Sequence, residues 1–210
     1  IDTSHPELRI PANASFMPGF TFRERTPHAS MGLFIGRLLT ESATFQEAAQ
    51  GLDTIGTIYP QSHFVPFFKG LLHLNNGDTA EALKLLTRAE PLQPSVDDQA
   101  LTAFYLGYTQ SQAENWEEAL PHLNRALSLS PDSHAFLNLR GVAHFKLGEY
   151  EQAAQDFQQA LDIDSGSAVD LANLGLCYKA MNKPTQAVSC LQASLELDPG
   201  LEFAWDNLQE

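Results

Sequence analysis

Cysteine is scarce in this 210-residue chain: the two that occur, Cys177 and Cys190, stand 13 residues apart. That is neither a disulfide framework nor a paired zinc knuckle, and both read as buried thiols. Cations are scarce too, with Lys plus Arg numbering 12 against 26 Asp plus Glu, a formal charge of −14. A field of that sign repels phosphate backbones and anionic lipid surfaces, so no nucleic-acid partner is expected. The longest apolar stretch, Phe64 to Leu74, is interrupted by Pro66 and Lys69 and falls short of the ~18 residues a membrane span requires. From Ile1 onward there is no charged-then-apolar signal pattern, and with free thiols the expected compartment is the cytoplasm.

Catalytic patterns are missing as well. The seven histidines, at 5, 28, 63, 73, 122, 134 and 144, form no His-Glu-x-x-His and no i, i+4 pair for a metal. There is no phosphate-cradling glycine loop and no Gly-x-Ser-x-Gly elbow. No enzymatic activity, metal or cofactor is therefore expected. Glu117, Glu118, Asp162 and Asp164 fall on outward helical places or turns and read as a solvated face.

What the chain does have is self-similarity. Glycines recur at Gly36, Gly70, Gly107, Gly141 and Gly175, in steps of 34, 37, 34 and 34. Twelve residues after each stands Ala48, Ala82, Ala119, Ala153 or Ala187, and four further on Leu52, Leu86, Leu123, Phe157 or Leu191. Three beyond these come Ile55, Ala89, Ala126, Ala160 and Ser194, and a final column holds Pro60, Pro94, Pro131, Ser165 and Pro199. Small residues at fixed places let two helices approach closely, and the large residue is the knob that fills the space between them. Proline cannot donate into the preceding turn, so it closes the second helix of each unit. Asp78 to Glu81 and Asn115 to Glu118 read as capping boxes opening second helices. Residues 97 to 99 are an insertion expected to lengthen one inter-repeat turn, and Pro121 is expected to kink its helix.

In these columns the chain resembles the tetratricopeptide repeat, most plainly in Leu174-Gly175, Tyr178, Ala187, Leu191 and Pro199. The resemblance implies an all-α, right-handed superhelical solenoid of five helix hairpins, at about 29–62, 63–96, 100–133, 134–167 and 168–201, with the start of a capping helix at 202–210. His73 and His144 take the family's tyrosine place, where a hydrogen bond within the hairpin is expected of each. The family's first helices line a concave peptide-binding groove. Carried over, that face is Phe64, Phe67, Leu71 and Leu74, then Leu101, Phe104 and Tyr108, then Asn138, Val142 and Phe145, and last Ala172, Leu176 and Lys179. Family members that hold heat-shock chaperone tails use a Lys, Asn and Arg clamp there. Phe67, Leu71, Phe104 and Tyr108 in the matching places imply an apolar peptide or helix as partner instead.

Residues 1–28 contain four prolines with Phe16, Phe20 and Phe22 and show no periodicity, which reads as an extended arm or linker. Pro6-Glu7-Leu8-Arg9-Ile10-Pro11 also resembles the Pro-x-Leu-x-x-Pro segments that bind repeat chaperones of bacterial type III secretion, so binding of the arm to its own groove is a second reading. The function expected is a protein-protein interaction module, a chaperone or assembly scaffold. The alternatives are the repeat region of a larger enzyme and a scaffold that forms homo-oligomers through the ends of its array.

Overall fold

The computed structural model describes residues 44–60, 62, 64–93 and 95–209. The arm at 1–28, Gly36 and the expected first helix of repeat one lie outside the described residues. Among the described residues every regular element is helical. They fall into two compact units, 44–115 and 116–209, with the boundary inside repeat three.

The first unit holds α1 (Phe45–Ile58), α2 (Phe64–Asn75), α3 (Thr79–Ala89), a short 3-10 turn (Glu90–Leu92) and α4 (Val96–Gln112). The second holds α5 (Trp116–Leu129), α6 (His134–Lys146), α7 (Tyr150–Ile163), α8 (Ala168–Ala180), α9 (Pro184–Leu197) and α10 (Glu202–Gln209). Within each unit, helices adjacent in sequence pack on one another. Hairpins α2–α3, α6–α7 and α8–α9 correspond to repeats two, four and five.

The close approach inferred from the columns is present in all three hairpins. A Cβ built on Gly70 would lie 2.8 Å from Leu86 Cγ, one on Gly175 2.9 Å from Leu191 Cγ, and one on Gly141 3.0 Å from the Phe157 ring. Ala82, Ala153, Leu86, Phe157 and Leu191 are buried, as the packing of knobs beside small residues requires. Ser194 is buried in a column that holds alanine in repeats two to four, and its hydroxyl donates to Ala168 O at 2.6 Å. That bond meets the requirement of a buried polar group.

Each first helix among the described residues ends in the same way. The backbone N–H eight residues after the glycine donates to the carbonyl three after it: Asp78 to His73 at 2.9 Å, Asn115 to Gln110 at 3.0 Å, Glu149 to His144 at 2.8 Å and Lys183 to Tyr178 at 2.8 Å. The residue between cap and donor takes a positive φ, at Gly77 (81°), Glu114 (59°), Gly148 (78°) and Asn182 (56°). This is the Schellman termination. The same two places are also joined by side chains, through three different chemistries: an imidazole with a carboxylate twice, an amide pair, and a cation over a ring. His73 Nδ1 lies 3.2 Å from Asp78 Oδ2, Asn115 Nδ2 donates to Gln110 Oε1 at 3.1 Å, His144 Nδ1 lies 2.6 Å from Glu149 Oε2, and Lys183 Nζ stands 5.9 Å over the Tyr178 ring. Asp78 also caps α3 by accepting from Glu81 N–H at 3.2 Å, and that bond, with His73, holds its carboxyl below the ordinary value of 3.8.

Two expectations need correction. Residues 97–99 do not lengthen a turn, because Ser95 accepts from Asp98 N–H at 3.1 Å and starts α4 at Val96, so the insertion becomes that helix's first turn. Pro121 lies inside α5, which continues through it. Proline is also not needed to close a second helix. In repeat four, where Ser165 replaces it, Asp164 Oδ1 accepts from Gly166 N–H at 3.0 Å, as Asp198 does from Gly200 in repeat five.

Cys177 is buried and Cys190 half-buried, and burial pushes the Cys177 thiol up to about 12 and raises that of Cys190. At pH 8 Cys177 should resist a thiol reagent and Cys190 react slowly, with both titrating promptly in denaturant. Above pH 9 the unfolded thiol ionises while the folded one stays protonated, so the stability that Cys177 contributes below 9 is lost as pH rises toward 12. Thermal melts across that range check the sign. Gly175→Ala should lower stability by about 1–3 kcal/mol through overpacking against Leu191. Glu114→Gly should raise it by about 0.5–1 kcal/mol, by relieving a left-handed side-chain-bearing residue in excess of the entropy cost. Denaturant titration reads both.

Candidate functional site

In the first unit, aromatic residues of α2 and α4 form one connected row. Phe64 stacks on Phe68 (ring centroids 6.2 Å apart), Phe67 meets Tyr105 edge-on at 5.8 Å, and Phe104 stacks on Tyr108 at 6.2 Å. The links Phe67–Phe68 at 5.4 Å and Phe104–Tyr105 at 5.4 Å complete it. A spacing of four along each helix brings Phe64 to Phe68 and Phe104 to Tyr108. Phe64, Phe67, Leu71 and Phe104 are buried, whereas Leu74, Leu101 and Tyr108 of the same two helices are half-buried. Burial pushes the Tyr105 phenol up to about 12 and raises that of Tyr108, so both are neutral donors at physiological pH.

In the second unit, Val142 and Phe145 of α6 and Ala172 and Leu176 of α8 are buried in one apolar cluster. The Phe145 ring meets Tyr150 edge-on at 5.1 Å. Lys179 is half-buried, with Nζ 3.4 Å from Asn207 O and 3.3 Å from Asn207 Oδ1 on α10. Asn138, 1% exposed, donates through Nδ2 to Asp170 Oδ1.

The sequence reading missed the polar groups around Asn138. Asp170, on the first turn of α8, is wholly buried, and His134 Nε2 lies 2.5 Å from its Oδ2. A second buried carboxylate, Asp156 of α7, receives Arg140 through Nε at 2.9 Å and Nη2 at 2.6 Å, while Arg140 Nη1 donates to Asn124 Oδ1 on α5 at 2.9 Å. A related contact in the first unit joins Lys69, which also precedes its repeat's glycine, to Asp53 on α1 at 2.6 Å. Repeats two and four thus carry a cation where repeats three and five have Leu106 and Leu174, and the preceding second helix supplies an oxygen. The signal available beforehand was the break in the Leu-Gly pair. Glu117, Glu118, Asp162 and Asp164 are exposed.

Among the described residues no three His, Cys, Asp or Glu side chains gather to hold a metal ion, and no helix is long and apolar enough to cross a membrane.

Two protein-family models, both described as tetratricopeptide repeat, match residues 104–168 and 144–210. No curated protein sequence matches the chain. Among solved structures, YrrB, a TPR protein with an unusual peptide-binding site, aligns with a TM-score of 0.74 at 16% identity over 89% of this chain and 93% of that one. MamA from Desulfovibrio magneticus RS-1, residue 41 to the end, aligns with a TM-score of 0.73 at 18% identity over 85% and 99%. MamA AMB-1 gives 0.69 at 20% identity over 83% and 99%. Identities this low speak for the fold alone. Because the two tetratricopeptide-repeat models together span residues 104–210, half of the chain, the chain belongs to the tetratricopeptide-repeat family.

Proposed function

We propose that the chain is a protein-protein interaction module that holds an apolar peptide or helix on the first-helix faces of its repeats, as a chaperone or assembly scaffold. The observation that carries this reading is the aromatic row of α2 and α4 together with the half-buried Leu74, Leu101 and Tyr108 of the same two helices, which we take as its open edge. Rigid rings already packed against one another offer contact area at little further entropy cost. An aliphatic or aromatic residue of a partner laid along that edge would lose water on both sides, at roughly 25 cal/mol per Å² of apolar surface. Support also comes from YrrB, a family member of like fold with a peptide-binding site. The candidate groove residues of the second unit are mostly closed off within that unit. Phe145, Val142 and Leu176 are buried, and Lys179 is tied to α10.

The burial of Phe67 and Phe104, 4% and 6% exposed, makes them poor probes, because a charge there would unfold the hairpins before it reported on a ligand. Leu101 and Tyr108 are better. Peptides selected on the full chain from a displayed library should be enriched in aliphatic and aromatic residues. Leu101→Asp with Tyr108→Ser should weaken the selected peptides by about tenfold or more, on the scale of a lost apolar anchor, while far-ultraviolet circular dichroism stays unchanged. Equal affinity for the variant and the unaltered chain would remove this face from consideration.

A further inference from the structure

Asp170 is fully buried, and its carboxylate has two side-chain partners: Asn138 Nδ2 donates to Oδ1, and His134 Nε2 lies 2.5 Å from Oδ2. No lysine or arginine among the described residues pairs with it. A carboxylate withdrawn from water is costly unless a cation compensates it. Asn138 has its own unmet need, since its Oδ1 is buried without a donor. When neutral His134 donates a hydrogen bond from Nε2–H to Asp170 Oδ2, its Nδ1 is left as an acceptor too. Every unfilled hydrogen-bonding place in the cluster is then an acceptor, beside a buried negative charge. Its chemical complement is a group that donates only and is positive, an ammonium or a guanidinium.

The geometry points to this cluster as the seat of a basic side chain, lysine or arginine, of the segment that the chain holds. The inference rests on the interaction-module reading and deepens it by naming a charge that the segment carries. His134 and Asn138, four apart on α6, share a face, and Asp170 comes to them from α8, the next first helix. His134 is the member open to solvent, with 26% side-chain exposure, and so forms the entry edge. The incoming cation replaces the imidazole against Asp170 Oδ2. The formal charge of −14 draws cationic segments toward the chain before any contact is made.

The test uses the full chain and two small probes, N-acetyl-arginine methylamide and its neutral isostere N-acetyl-citrulline methylamide. Each is titrated while the His134 ring signals, assigned by comparison with His134→Gln, are followed by NMR. The arginine probe should move the His134 signals and bind about fivefold or more tightly than the citrulline probe, as expected for a charge-assisted bond at a partly shielded site. Asp170→Asn should abolish that preference. Should Asp170→Asn fail to fold, His134→Ala, at a part-exposed position, should bind the arginine probe more tightly than the unaltered chain, because no ring has to be displaced. Equal behaviour of the two probes, or weaker binding to His134→Ala, would overturn the proposal. Neither probe carries an apolar segment. A surviving arginine preference alongside insensitivity to Leu101→Asp and Tyr108→Ser would therefore sink the aromatic-face reading and leave this site standing.

Discussion

The interaction on which the rest depends is the contact of a glycine with the side chain of a leucine or phenylalanine on the partner helix. At Gly70, Gly141 and Gly175 there is no room for a Cβ without moving Leu86, Phe157 or Leu191. Bringing the helices that close buries the alanine and knob columns completely and turns the remaining side chains of the first helix toward a second face. The aromatic row of α2 and α4 and the polar cluster of α6 and α8 both occupy places left over once the hairpin core is filled.

This core was legible in the sequence because it is a matter of size and spacing. A small residue, a second twelve later and a large one four beyond can be recognised without knowing any contact, and repetition removes the ambiguity of each alone. The hydrogen bonds of His73 and His144 within their hairpins were legible for a related reason: their partners, Asp78 and Glu149, stand five residues away. Residues 97–99 were misjudged because Ser95 decides whether they coil or turn, and a single side-chain cap outweighs a gap in a repeat pattern.

The candidate face was legible in register but not in exposure. Position on a helix follows from counting, yet whether Phe104 is open or covered depends on what Tyr105 and Tyr108 do beside it. The buried carboxylates were harder still. Asp170 has the look of an ordinary acidic first-turn residue after Ser167, and indeed its N–H donates to Ser167 Oγ at 3.2 Å. Only the arrival of Asn138 and His134 from 32 and 36 residues earlier makes it something else. Arg140, by contrast, left a trace, since a cation in place of the Leu-Gly leucine requires an anion or amide nearby, and Asp156 and Asn124 provide both.

The side-chain staples of the four turns carry a consequence for how the chain reaches this structure. His73–Asp78, Gln110–Asn115, His144–Glu149 and Tyr178–Lys183 each span only five residues, and the backbone bonds beneath them span the same distance. Closing so short a loop takes well under a microsecond and spends little chain entropy. No turn waits for a distant part of the polypeptide, so contact order is low and folding can begin at any of these turns and spread to its neighbours.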